Sequence, residues 1–128
     1  MGKTFVFVNQ KGGVGKTTSA INIGAYLALE GKKTLLVDFD SQGNMTSGVG
    51  VDREKPTVYD LMAGTSPAAE VIRESAIPGL SVIPASIDLS GAAIELVDQE
   101  EREYFLKKAL APLQSTYDYI LIDCPPSL

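Results

Sequence analysis

The segment KGGVGKTT at residues 11–18 holds the groups needed to grip a polyphosphate. Glycines leave backbone N–H groups unobstructed, so several can converge on phosphate oxygens. Lys16 offers a positive charge for the β- and γ-phosphates, and the Thr17 hydroxyl offers a magnesium ligand. The general phosphate-loop spacing is G-x-x-x-x-G-K-[ST] between a strand and a helix. Gly15, Lys16 and Thr17 fit its end; Gln10 replaces its first glycine, and Gly12 and Gly13 are added inside around Val14. An ordinary glycine-rich turn accounts poorly for GKTT after a buried apolar run. The pattern predicts a site for a nucleoside triphosphate, ATP with magnesium, formed by Lys11, Gly12, Gly13, Val14, Gly15, Lys16, Thr17 and Thr18.

Three carboxylates end apolar runs. Asp38 and Asp40 follow residues 34–37, and Asp123 follows Tyr-Ile-Leu-Ile. Two carboxylates near a phosphate site can hold magnesium's water shell or orient an attacking water. A polar turn that satisfies its own backbone is the competing reading for Asp38 and Asp40. Asp123, beside a phosphate loop, reads as the carboxylate that contacts magnesium. Lys11 is either a solvated charge or a group that reaches a phosphate, that of a second subunit included. Cys124 reads as a small buried hydrophobe, and Arg102, Lys107 and Lys108 as a solvated helix face opposed by neighbouring glutamates.

These residues need elements to position them. Residues 4–8, 34–37, 80–83 and 119–122 read as strands, because they are short apolar runs that stop at Asn9, Asp38, Pro84 and Asp123. Residues 16–30 read as a helix capped by Gly31. Thr57 caps a short helix through Met62, closed by Gly64, and Ser66-Pro67 starts another to about residue 75. Two more helices are expected over residues 88–97 and 100–113, the second with Phe105, Leu106, Ala109, Leu110 and Leu113 as its apolar stripe. Residues 44–50, with Gly48 and Gly50, read as loop. Apolar strands alternating with helices predict a parallel sheet covered on both faces. The three polar clusters, at residues 10–18, 38–44 and 123–127, all fall at the carboxyl ends of strands, where such sheets place their sites.

The composition excludes other chemistries. The chain has 128 residues, enough for one domain, with 45% hydrophobic and 21% charged residues. There is no histidine, which removes His-based triads and most zinc sites. The single cysteine precludes an internal disulfide, and a reducing, cytoplasmic setting is expected. A net charge of −5 argues against bulk nucleic-acid binding by these residues. No apolar stretch reaches the ~18 residues of a membrane span.

VNQKGGVGKTT, LLVDFDSQGN and YDYILIDCPPSL, in this order and with VIPASIDLSGAAIELV between the last two, resemble the ParA/Soj group of deviant Walker A partition ATPases. The resemblance covers essentially the whole chain. Ser41 departs from the group, which commonly has proline there. The resemblance implies a P-loop NTPase-type fold with about four strands present, ending just after the Walker B strand. Residues 1–128 would be the N-terminal part of a single P-loop ATPase domain, about half the usual length.

It further implies an ATP-hydrolysing switch of chromosome or plasmid partitioning, forming an ATP-sandwich homodimer in the cytoplasm on the nucleoid. A centromere-binding, ParB-like partner would stimulate it, and non-specific DNA would bind through the missing C-terminal half. By motif position, Lys11 would cross the dimer to the partner's phosphate and Gly12 would lie where subunits approach. Lys16 and Thr17 keep their loop roles, and Thr18 contacts an inner phosphate. Asp40 would position the hydrolytic water with Asp38 near the magnesium; Asp123 would be the Walker B carboxylate, and Pro125-Pro126 would begin the second switch. A MinD-like membrane-surface ATPase is the main alternative, and a non-catalytic phosphate-binding fragment is the other. Because a later strand would flank residues 4–8 in that fold, these residues are expected to form an open edge that self-associates or orders only when covered.

Overall fold

The computed structural model describes residues 2–8, 14–40, 42–54, 56–86 and 99–124. Four strands lie parallel: β1 (Lys3–Val8), β2 (Thr34–Asp38), β4 (Leu80–Ile83) and β5 (Tyr119–Cys124). A two-residue strand, β3 (Arg73–Glu74), joins β4 antiparallel, and the spatial order is β1-β5-β2-β4-β3. Four strands were expected; the fifth replaces the end of the helix expected to reach residue 75. That helix is only α4 (Ala68–Val71), since Ile72 turns to extended backbone.

Alternation along the strands divides the core between the two faces. Leu35, Val37, Ile83, Ile120 and Ile122 pack on one side with α3 (Val58–Ala63), α4 and α5 (Gln99–Leu110), which a 3-10 turn, Ala111–Leu113, extends. Leu36, Leu80, Val82 and Leu121 pack on the other side with α1 (Val14–Leu29) and α2 (Asn44–Gly48). Strands β2, β4 and β5 are therefore covered on both faces, as buried parallel strands of an α/β chain require.

Local chemistry explains the helix ends. Thr57 caps α3 through the Tyr59 N–H, and Asp60 returns a bond from the Thr57 N–H, a reciprocal capping box. Gly31 ends the α1 turn at φ 83°, a left-handed conformation that suits glycine. Gly24 lets α1 approach the sheet: a Cβ there would lie 3.0 Å from Leu36 Cδ2 and 3.2 Å from Leu80 Cδ1. The stretch read as loop at 44–50 instead contains α2. Burial of Met45 and Val49 against the sheet outweighs the weak local preference of its glycine. Of the 100–113 stripe, Leu106, Leu110 and Leu113 are buried and Ala109 is partly so. The helix expected over 88–97, Gln10, Lys11, Gly12, Gly13, Ser41 and Pro125-Pro126 lie outside the described residues.

Among the described residues β1 pairs with β5 alone, at one margin of the sheet. Phe5 is 47% exposed and Val6 54%. The expected apolar edge at residues 4–8 is thus present.

Candidate nucleotide site

Parallel register brings the carboxylates together. Asp38 and Asp123 are paired neighbours at the ends of β2 and β5, and the Phe39 N–H continues the ladder to the Asp123 carbonyl at 2.9 Å. Val14, Gly15, Lys16, Thr17 and Thr18 form the first turns of α1, which opens at the same end of the sheet. Thr17, 106 residues from Asp123 in sequence, is buried and donates its hydroxyl to Asp123 Oδ2 at 2.8 Å. Lys16 is half-buried, and Thr18 is exposed.

Asp38 is fully buried. Its Oδ2 accepts from the Thr46 N–H at 2.8 Å and the Thr46 hydroxyl at 2.6 Å, and its Oδ1 accepts from the Asp40 N–H at 3.2 Å. Asp40 is half-buried; its Oδ1 accepts from the Gln42 N–H at 3.0 Å, and its carbonyl accepts from the Gly43 N–H at 2.9 Å. Both readings of the 38–44 cluster therefore have a physical counterpart. The chain satisfies its own turn, and it does so beside Asp123. Gly43 sits at φ 69° with Arg53 laid across it: a Cβ would fall 2.7 Å from Arg53 Nη1.

Burial in this corner disfavours charge. Desolvation pushes Asp123 up to about 6; the Thr17 hydroxyl opposes the shift, the charges of Asp38 and Asp40 add to it, and Lys16 opposes it. Desolvation likewise raises Asp38, against the hydrogen bonds from Thr46 and the Asp40 N–H. A carboxylate whose ionised form is penalised this way gains by meeting a cation. Among the described residues no group of three or more acidic or thiol side chains could enclose a metal alone. The Thr17 hydroxyl and Asp123 carboxylate instead make a partial donor set, of the kind magnesium completes with water and phosphate oxygens. Asp38, beside Asp123, accepts from two backbone N–H groups and the Thr46 hydroxyl, which together fill three of its carboxylate's roughly four lone-pair positions.

Thr46 escaped the reading of the sequence. A threonine eight residues past Asp38, inside a segment taken for loop, carries no spacing signal. Cys124 is half-buried at the end of β5.

A parallel strand followed in the chain by a helix whose first turn meets acidic strand ends is the arrangement of an α/β domain of the P-loop class. A family model described as "AAA domain" matches residues 2–128, and the chain belongs to this family. It is 69% identical over 128 residues to the chromosome-partitioning ATPase Soj of Treponema pallidum, covering all of this chain and 50% of that protein. It is 51% identical to the sporulation initiation inhibitor protein Soj of Bacillus subtilis, with 51% of that protein covered. The chain thus spans about half the length of these relatives. A crystal structure of cobyrinic acid a,c-diamide synthase from Mycobacterium smegmatis, with a bound ATP analogue and magnesium, superimposes with TM-score 0.86 at 42% identity, over 99% of this chain and 52% of that one. The septum site-determining protein MinD of Pyrococcus horikoshii, complexed with Mg-ADP, follows at TM-score 0.78 and 30% identity, over 100% and 51%. The ParA/Soj resemblance and the parallel α/β fold class are borne out.

Proposed function

We propose that this chain is the nucleotide-binding, N-terminal part of a single-domain partition ATPase that binds ATP with magnesium. The observation that carries the proposal is the buried Thr17–Asp123 hydrogen bond at the mouth of α1, 2.8 Å long. It joins the loop helix to the strand carboxylate where a phosphate-bound magnesium would need both. Magnesium, when bound, would neutralise phosphate charge. Lys16, Thr17 and the N–H groups of the loop would bind and orient the phosphates. Asp123 would take the cation with Asp38 near it, and Asp40 would orient a water. Lys11 would reach the phosphate of a second copy, making hydrolysis depend on an ATP-sandwich dimer, with Gly12 at the contact. Such a dimer would act as a switch for DNA segregation on the nucleoid, stimulated by a centromere-binding partner. The QGN turn and the Soj relatives favour this over a MinD-like membrane ATPase.

The test uses a protein of the relatives' full length that carries this chain. Lys16→Ala should weaken magnesium–ATP binding by about 100-fold or more, since a charge facing two phosphates is lost. Unchanged affinity by calorimetry would sink the assignment. Lys11→Ala should keep ADP binding and lose the ATP-induced dimer by light scattering; persistence of that dimer would remove the trans role of Lys11.

A further inference from the structure

We propose that Thr46 is a positioning residue for turnover, acting through Asp38 on Asp40. The inference rests on the water-orienting role of Asp40 proposed above.

Three chain segments meet at the Thr46 side chain. Its hydroxyl donates to Asp38 Oδ2 at 2.6 Å at the end of β2, and it accepts from the Ala85 N–H at 2.9 Å just beyond β4. Its own N–H, in the first turn of α2, donates to the same Asp38 oxygen at 2.8 Å. Thr46 is fully buried, as are Asp38 and Ala85. A hydroxyl has one proton, and that proton is committed. With the Ala85 N–H on the oxygen, the only direction left for it is Asp38.

The two donors from Thr46 fix the plane of the Asp38 carboxylate. Its other oxygen then accepts from the Asp40 N–H at 3.2 Å and sets where the Asp40 backbone stands. Asp40 goes on to hold the Gln42 N–H with its side chain and the Gly43 N–H with its carbonyl. The chain of contacts therefore runs from the end of β4, through Thr46 and Asp38, into the turn that carries Asp40. A buried carboxylate that lost the hydroxyl would rotate toward its remaining donors and carry the Asp40 N–H with it. Displacement of a water-orienting group by a fraction of an ångström to 1 Å slows chemistry and leaves phosphate binding, made by Lys16 and the loop, unchanged.

The test again uses the full-length protein and compares Thr46→Val with Thr46→Ser, with Asp40→Ala in parallel. Thr46→Val keeps shape and removes the hydroxyl; Thr46→Ser keeps the hydroxyl. Thr46→Val should lower kcat by roughly 10- to 100-fold with ATP affinity within about twofold, and Thr46→Ser should restore most of the rate. If Thr46→Val does not fold, the pair Thr46→Ser and Thr46→Ala isolates the same hydroxyl, with the same expectation. A normal kcat in the hydroxyl-free variant while Asp40→Ala is inactive would overturn the role of Thr46 and leave the proposed function standing. Equal loss in Thr46→Ser and the hydroxyl-free variant would also overturn it, because packing would then be the cause. Normal turnover in Asp40→Ala would remove the role of Asp40 itself, and this inference with it.

Discussion

Around Asp38, polar groups are buried and matched; along β1, apolar groups are exposed. Asp38, Thr46, Thr17 and Asp123 are all nearly inaccessible to solvent, and each has a donor or acceptor opposite it. At the other margin, Phe5 and Val6 of β1 face out, and Ile23, Tyr26 and Leu29 of α1 are exposed as well. Buried polar groups are costly unless paired, so pairing around Asp38 has to be built in by the fold. An apolar edge strand carries unpaired N–H and C=O groups and is a template for another strand. The two regions differ in how complete they are. The corner holding the carboxylates is closed by residues of this chain, whereas among the described residues β1 is paired on one side only.

Breaking the closed corner should have the largest effect on stability. Asp38→Ala would leave the Thr46 N–H, the Thr46 hydroxyl and the Asp40 N–H without their acceptor. Two or three orphaned donors at ~1–3 kcal/mol each should lower stability by about 3–5 kcal/mol in urea unfolding. A loss under about 1 kcal/mol would mean that water or another group takes over.

Titration sharpens the same point. Asp123 stands at about 6 in the fold against a reference of 3.8, so its ionised form is the penalised one. Its stabilising contribution is fully present below pH 3.8 and is lost as pH rises through about 6. Without magnesium, that contribution should amount to at most about 3 kcal/mol. Asp123→Asn should remove the pH 4–7 slope assigned to this group; an unchanged slope in chemical unfolding at pH 4, 5, 6 and 7 would place it elsewhere.

Between the two regions, α1 lies on the sheet through Gly24. Gly24→Val would press on Leu36 and Leu80 and should cost about 1–3 kcal/mol, read as a lower thermal midpoint. A neutral result would show that α1 can lift from the sheet freely.

At the open margin the smallest stability effect is expected. Val6→Lys should change the stability of the monomer by less than about 0.5 kcal/mol, because the side chain is 54% exposed. It should nevertheless reduce self-association of this chain in sedimentation, since an edge lysine discourages strand pairing. A chain that is already monomeric at high concentration, with the amides of residues 4–8 exchanging freely, would contradict the edge reading.

Much of this was legible in the residue order. GKTT after an apolar run announces its own strand and helix, because glycine freedom, the lysine charge and helix initiation are local properties. The Thr57–Asp60 cap and the Gly31 turn are equally local: a side chain satisfies backbone a few positions away. Apolar runs ending in aspartate placed Asp38 and Asp123 at strand ends. Helix α2 was not legible, since its five residues lack a period and form only because Met45 and Val49 find the sheet. The two-residue β3 was hidden for the same reason, as it exists only by pairing with β4.

By itself the sequence determined the make-up of the candidate site: a glycine-rich stretch, a lysine, a hydroxyl and carboxylates on strand ends, all set by residue type and short spacing. Tertiary structure alone decided who meets whom. Strand order β1-β5-β2 put Thr17 against Asp123 across 106 residues and Asp123 beside Asp38. It also put the Thr46 hydroxyl between Asp38 and the Ala85 N–H. Those contacts follow from which strands pair, and strand pairing is settled by burying the whole sheet at once, which no local stretch of residues encodes.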